Sequence, residues 1–199
     1  MNKLLTNTYP IINLYKKRSL NSEIVTQMIY GDNFKILGKR NKWFRIKILE
    51  DNYKGFIKEK RFFKFTKPTH KVSNLVSKIY KSPGKRQKVL ELSFGSKVKI
   101  TQIHGGFGKI HNGWISLNDV KPIGYKEKDI FKRVNMFANT KYKWGGKTFK
   151  GIDCSALVQV FFNFNNKFFP RDTGDQIKYL KKNISVNKIK KNDILYWKG

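Results

Sequence analysis

Acidic residues, cysteine and alanine are all scarce in this chain of 199 residues. It has 13 Asp and Glu against 43 Lys and Arg, and only two Ala. The single cysteine, Cys154, excludes an internal disulfide, which fits a reducing compartment. No apolar run approaches the roughly 18 residues that a membrane-spanning helix needs. The first residues also lack the features of a secretory signal, so we expect a cytoplasmic protein, with the cell envelope as the alternative.

The excess of basic residues gives a formal net charge of +30. A polyanionic partner, such as nucleic acid, an anionic membrane or an acidic wall polymer, is one interpretation. However, the basic residues are 36 Lys and only 7 Arg, spread along the whole chain, whereas dedicated nucleic-acid sites usually depend on Arg. Lys, Asn, Ile and Phe are also the residues that an AT-rich genome overproduces. The composition therefore favours genome bias with incidental polyanion affinity, and no specific nucleic-acid partner is expected.

Two stretches in the first 120 residues resemble each other and indicate an internal repeat. An aromatic residue precedes glycine at Tyr30-Gly31 and again at Phe94-Gly95, and alternating apolar residues follow in both copies. The alternation predicts short strands, and Gly, Asn and Asp turns separate them. Closing such strands into a small barrel removes their exposed edges. The repeat therefore predicts two small all-β barrels, over residues 8–68 and 70–123.

Helical spacing replaces the strand alternation near Gly124. Three helices are predicted, over 130–138, over 154–164, and around Ile177 and Leu180. The last apolar residues, 194–197, predict a strand. Helices followed by a strand indicate an α+β unit over residues 124–199.

Cys154 stands at the head of the second predicted helix, after Gly145, Gly146 and Gly151. Four backbone N–H groups there lack intrahelical partners, and the helix dipole adds about half a positive charge. Both features favour a thiolate over a thiol, and donors near the turn can stabilise an oxyanion. A lone cysteine is often an inert buried residue. The glycine-flanked helix start makes Cys154 a candidate nucleophile.

The segment 142–159 contains Tyr-x-Trp-Gly-Gly followed by Gly-Ile-Asp-Cys-Ser-Ala-Leu-Val-Gln. It resembles the nucleophile motif of NlpC-type, papain-like bacterial cell-wall peptidases, with Ala156 in place of the usual glycine. The segments 170–173 and 191–197 resemble later parts of that family, and the two barrels resemble bacterial SH3-like domains. The resemblance implies a papain-like α+β domain over 124–199, with Cys154 as the catalytic nucleophile and no metal or organic cofactor.

The resemblance also implies a substrate, because related proteins with two SH3-like domains cut murein peptides between γ-D-glutamate and the diamino acid. The SH3-like domains either grip the wall polymer or close the cleft so that only short peptides enter. A carboxylate and an aromatic on the first barrel are then expected to hold the substrate ammonium. Six residues are candidates for contacting the substrate: Tyr142, Trp144, Asp153 and Ser155 near the nucleophile, and Asp32 and Tyr53 on the first barrel.

One departure from the family concerns the general-base histidine, which is expected just after the segment 194–197. None of His70, His104 and His111 matches that position. We therefore expect a peptidase domain that is C-terminally truncated in this sequence, with a natural remnant lacking activity as the alternative. Two other functions compete with the peptidase: a non-catalytic protein that binds peptidoglycan, and nucleic-acid binding by charge alone.

Overall fold

The computed structural model describes residues 4–84, 87–180 and 184–197. Its first β-unit is one antiparallel sheet of seven strands in the order β3-β2-β6-β5-β4-β1-β7. The strands are β1 (Leu4–Thr6), β2 (Ile11–Tyr15), β3 (Ile24–Ile29), β4 (Asn33–Arg40), β5 (Trp43–Ile48), β6 (Lys54–Lys58) and β7 (Phe63–Lys64).

Alternating apolar residues fill the interior of the first β-unit. Phe34 on β4 and both Ile46 and Ile48 on β5 are fully buried and belong to one core cluster. The hairpin that joins these two strands turns at Asn41 and Lys42, which both have positive φ, as a tight turn between antiparallel strands requires. The period-two pattern in the sequence thus sets both the sheet and its inward face.

The second β-unit contains two antiparallel sheets, in the orders β10-β9-β14-β13-β12 and β11-β8-β15. Its strands are β8 (His70–Val72), β9 (Val76–Tyr80), β10 (Lys88–Ser93), β11 (Lys97–Val98), β12 (Gln102–His104), β13 (Phe107–Ile110), β14 (Gly113–Ser116) and β15 (Val120–Pro122). Tyr30 of the first β-unit is part of this second core, and its hydroxyl donates to Asn112 Oδ1 at 2.8 Å. The two β-units therefore pack directly on each other. That the second is also an SH3-like domain stays a prediction.

The C-terminal unit packs against the second β-unit through aromatic rings. It contains the short strands β16 (Lys147–Thr148) and β17 (Gly151–Ile152) and the helices α1 (Cys154–Phe164) and α2 (Thr173–Leu180). Phe94 of the second β-unit stacks on Phe164 with ring centroids 4.6 Å apart and also contacts Phe161. The predicted helices over 154–164 and around Ile177 are confirmed. Within the described ranges, no helix is both long and apolar enough to cross a membrane.

Two predicted elements of the C-terminal unit are wrong. The segment 130–138 forms turns and a short 3₁₀-helix, Val134–Phe137, instead of an amphipathic helix. A helix of nine residues is only marginally stable by itself. In this segment, turns bring the aromatic side chains into the core, where the ring centroids of Phe137 and Phe161 lie 5.8 Å apart. Residues 194–197 form no strand, because no described strand lies beside them to complete a ladder. Tyr196 is held by its hydroxyl, which donates to Gln176 Oε1 at 3.1 Å.

Candidate active site

The glycine-rich loop before Cys154 is shaped by direct contact with the first β-unit. Gly145 has a φ of +69°, and a Cβ at that position would lie 2.2 Å from the carbonyl oxygen of Ile24. The Gly145 N–H donates to Asp153 Oδ2 at 3.0 Å, which ties the loop to the start of α1. Only glycine satisfies both the positive φ and the close approach. The Trp-Gly-Gly pattern therefore lets the loop before Cys154 pack directly against β3.

Asp153 is the N-cap of α1, and Cys154 is the first residue of the helix. The Asp153 Oδ1 atom accepts a hydrogen bond from the Ala156 N–H at 2.8 Å. This is the cap geometry that satisfies an unpaired donor of the first helical turn. Cys154 itself is exposed. The thiol thus lies at the N-terminus of α1, where backbone donors of the first turn remain for an oxyanion.

Arg171 holds the start of α1 through hydrogen bonds to Asp153 and Ser155. Its guanidinium donates to both carboxylate oxygens of Asp153, with Nη1–Oδ1 at 3.0 Å and Nη2–Oδ2 at 2.6 Å. It also donates to Ser155 Oγ at 2.9 Å and, through Nε, to Thr26 Oγ1 of the first β-unit at 2.7 Å. Arg171 is only 3% exposed. Asp153 and Ser155, predicted as substrate contacts, are therefore largely engaged by Arg171 at the start of α1.

A cavity of about 610 Å³ opens beside Cys154, between the first β-unit and the C-terminal unit. Both units contribute charged side chains to its wall. The sequence predicted seven site residues, and the structure brings six of them to this cavity: Cys154, Tyr142, Trp144, Asp153, Ser155 and Tyr53.

Asp32 is the predicted site residue that does not line this cavity. It is 3% exposed, and its Oδ2 accepts a hydrogen bond from the Ile29 N–H at 2.9 Å. The same oxygen lies 3.7 Å from Lys147 Nζ. Asp32 thus stabilises a turn and faces a buried lysine, so its carboxylate does not face the cavity beside Cys154.

Glu23 supplies a cavity carboxylate from the first β-unit that the sequence did not predict. Its Oε1 accepts a hydrogen bond from Trp144 Nε1 at 2.9 Å, and its Oε2 pairs with Lys16 Nζ at 2.9 Å. The hydrogen bond from Lys16, followed by that from Trp144, lowers the pKa of Glu23. Glu23 is therefore ionised at neutral pH. No local motif marks it, because its partner Trp144 is 121 residues away in sequence.

Two tyrosines place hydroxyl groups in the cavity wall. Tyr53 donates to Asp172 Oδ2 at 3.1 Å. Burial, and then the negative charge of Asp172, raises the pKa of Tyr53, so its hydroxyl stays protonated. Burial, and then the charges of Cys154 and Asp153, raises the pKa of Tyr142. Both groups therefore remain hydrogen-bond donors at neutral pH.

The cavity also has a basic side. Lys16, Arg45 and Lys54 line it together with the acidic Glu23 and Asp172. A ligand that carries both an ammonium and carboxylates would find partners of opposite sign in the same cavity.

The three histidines lie in the second β-unit, at or beside its strands. His70 and His104 are on β8 and β12, and His111 follows β13. None of them is among the described residues that line the cavity.

Both parts of the chain that line this cavity match known protein families. Residues 139–199 match the NlpC/P60 family, and residues 14–61 match the bacterial dipeptidyl-peptidase SH3 domain. Dipeptidyl-peptidase 6 of Lysinibacillus sphaericus is 22% identical over 215 aligned positions, which cover 94% of this chain and 79% of that protein. A probable endopeptidase NlpC homologue of Haemophilus influenzae is 34% identical over 74 residues, covering 36% of this chain and 39% of its own length.

A solved structure extends the likeness from sequence to fold. The crystal structure of an NlpC/P60 family protein from Bacillus cereus superposes with a TM-score of 0.78 at 16% identity, covering 94% of this chain and 80% of that one. At this identity the match shows a shared fold over nearly the whole chain. The chain is therefore homologous to dipeptidyl-peptidase 6, and it combines a bacterial SH3 domain with a domain of the NlpC/P60 peptidase family.

Proposed function

We propose that this protein is a cysteine peptidase that hydrolyses the bond between γ-D-glutamate and the diamino acid in short murein peptides. The observation that carries the proposal is the exposed Cys154 at the head of α1, which opens onto a 610 Å³ cavity that the first β-unit closes on one side. The names of two relatives, a dipeptidyl-peptidase and a probable endopeptidase homologue, support the reaction class.

In this reaction the Cys154 sulfur attacks the carbonyl carbon of the γ-glutamyl group. The C–N bond breaks, and the diamino acid leaves as an amine after it takes up a proton. Water then hydrolyses the thioester and restores the thiol. Backbone N–H groups in the first turn of α1 hold the negative oxygen, and the Tyr142 hydroxyl is a further donor at the cavity wall. The family uses a histidine for the proton transfers, and we assign that role to no residue of this chain.

The cavity explains a preference for short peptides with a free N-terminus. The Glu23 carboxylate is held by Trp144 and stays ionised, so it is positioned to pair with a substrate ammonium. The hydroxyl of Tyr53 lines the same wall, anchored on Asp172. Arg45 and Lys54 provide cations for the peptide's carboxylates. A glycan-linked peptide has no free N-terminal ammonium for Glu23 to bind.

A second candidate function is binding of the same peptides without cleavage. The observation that favours it is that none of the three histidines lines the cavity in the described structure. A thiolate without a proton donor for the leaving amine would hold a peptide and fail to cut it.

The test uses the product of the complete reading frame and the peptide L-Ala-γ-D-Glu-diamino acid. Mass spectrometry should detect L-Ala-D-Glu and the free diamino acid, and Cys154→Ser should abolish both products while the peptide still binds. Binding without products from the unaltered protein supports the second candidate. Rapid release of fragments from intact cell wall would contradict the preference for short peptides.

A further inference from the structure

A second cavity, of about 340 Å³, lies between the two β-units. It shares no lining residue with the active-site cavity. Its volume falls within the roughly 300–1,000 Å³ that small-molecule sites occupy. The proposed peptidase reaction makes no use of this cavity.

The charge of the second cavity has one sign. Lys97, Lys99 and Lys109 line it, and none of the described lining residues is acidic. Lys97 already pairs with Glu50 at 2.9 Å. Lys99 and Lys109 are exposed, and neither has a carboxylate partner among the described ion pairs. The Lys109 ammonium lies 5.9 Å from the centroid of the Trp114 ring, a contact that leaves its charge unneutralised. Two cations at the mouth of a recess favour an anionic group on whatever enters it.

The floor of the cavity is formed before any ligand arrives. The Lys97 N–H donates to the Tyr30 carbonyl at 2.9 Å, and a Cβ at Gly31 would lie 2.1 Å from the Lys97 oxygen. The hydroxyl of Tyr30 is fixed by Asn112. The two β-units are therefore locked together at this point, and binding would need little reorganisation.

The remaining walls suit a sugar ring. Phe63 is 38% exposed and stands edge-on to His111, with ring centroids 4.5 Å apart. This gives an apolar surface for the carbon face of a ring. Thr8 and Thr101 line the cavity as well, and their hydroxyl oxygens can accept hydrogen bonds from sugar hydroxyls.

We propose that this cavity binds an anionic sugar unit, in which a ring carries a carboxylate or a phosphate. The ring lies against Phe63, and the anion pairs with Lys99 and Lys109. The site is independent of Cys154. It would let the protein hold an acidic glycan, or a soluble sugar phosphate, while the peptidase cavity is free.

Calorimetric titrations test the proposal with glucose 6-phosphate, glucuronic acid, glucose and inorganic phosphate, all at about 150 mM salt to screen the overall charge. At least one of the two anionic sugars should bind, and the preferred one identifies the anion. Glucose should bind about tenfold or more weakly, since it lacks charge-assisted hydrogen bonds.

Variants separate a built site from general attraction to a basic protein. The double variant Lys99→Gln/Lys109→Gln should weaken binding about tenfold or more. The matched control Lys58→Gln/Lys78→Gln removes two exposed strand lysines outside the cavity and should leave affinity nearly unchanged. Phe63→Ala should weaken the anionic sugar and spare inorganic phosphate.

Several outcomes would overturn the proposal. Equal losses in the two double variants would reduce the effect to net charge. Affinity for inorganic phosphate as high as for the sugars, or no effect of Phe63→Ala, would leave an anion site without a sugar subsite. Absence of binding by both anionic sugars would remove the site altogether. Cys154→Ser should bind like the wild type, which separates this result from any failure of the peptidase assignment.

Discussion

Arg171 donates to both carboxylate oxygens of Asp153, the residue directly before Cys154, at 3.0 and 2.6 Å. The same guanidinium reaches Thr26 on the first β-unit at 2.7 Å. The N-cap of α1 is therefore fixed by a residue that also joins the two units. The pair is buried and its geometry is bidentate, so the contact fixes the helix start that carries Cys154.

Removing the Arg171 charge should destabilise the protein. Arg171→Gln leaves Asp153 buried without its cation, which typically costs about 3–5 kcal/mol. Arg171→Lys keeps the charge and loses the bidentate geometry of the guanidinium. Its free energy of unfolding should therefore lie between those of Arg171→Gln and the wild type. Urea unfolding gives both free energies. A loss below about 1 kcal/mol for Arg171→Gln, the scale of an exposed pair, would mean that the contact does not hold the helix.

Gly145 should tolerate no side chain. In Gly145→Ala the new Cβ would meet the Ile24 carbonyl at 2.2 Å, and the positive φ adds strain. We expect a clear loss of thermal stability together with slower Cys154 alkylation, since the loop must withdraw from β3. The matched control is Gly174→Ala on α2, where a Cβ meets nothing within 4 Å. Alanine there should be neutral or stabilising by up to about 1 kcal/mol. Equal effects of the two changes would contradict the packing argument.

Lys71 joins the second β-unit to the end of α1. It is 1% exposed, and its Nζ donates to the carbonyls of Tyr125 and Phe164. Burial, and then repulsion from Lys97, lowers the pKa of Lys71 from 10.5 to about 8. The C-terminal carbonyl of α1 thus receives a donor from a lysine that has no carboxylate partner among its described hydrogen bonds.

This lysine predicts a pH dependence of stability. Between pH 8 and 10.5 the unfolded chain keeps the Lys71 proton while the folded protein has lost it. The unfolded state then binds more protons, so the Lys71 contribution to the free energy of unfolding rises with pH in that window and is flat below it. Unfolding of the wild type and Lys71→Met should be compared at about pH 7.5 and 9.5. The difference between them should shift in favour of the wild type at the higher pH, and no shift, or the opposite one, would contradict it.

Cys154 should be the single reactive thiol of the protein. At about pH 6 its alkylation by iodoacetamide should outpace that of free cysteine, because Cys154 is exposed at the unpaired backbone N–H groups of the first turn of α1. Cys154→Ser should take up no label and fold as the wild type does. A rate equal to that of free cysteine would show that the helix start does not activate the thiol.

Local chemistry made some of this structure predictable from sequence. The α1 boundaries and the place of Cys154 at the head of that helix follow from a glycine loop and helical spacing, all within about twenty residues. Contacts between distant segments were not accessible. Glu23 is recognisable as a cavity residue only through its hydrogen bond from Trp144, which is distant in sequence. The sequence makes Asp32 a candidate substrate contact, whereas the fold buries it beside Lys147. The helix predicted over 130–138 does not form for the same reason. Packing of this segment against α1, which the local periodicity does not reveal, determines its conformation.

In the proposed function, the first β-unit supplies a carboxylate, Glu23, that selects peptides with a free N-terminus. The most direct test of this selection measures kcat/KM for L-Ala-γ-D-Glu-diamino acid and for the N-acetylated peptide, using the product of the complete reading frame. The unaltered enzyme should prefer the free amine by about tenfold or more, the scale of one charge-assisted hydrogen bond. Glu23→Gln should lose that preference, while Glu59→Gln, an exposed carboxylate outside the cavity, should keep it. Equal rates for the two peptides with the unaltered enzyme, or a preference that survives Glu23→Gln, would contradict the account.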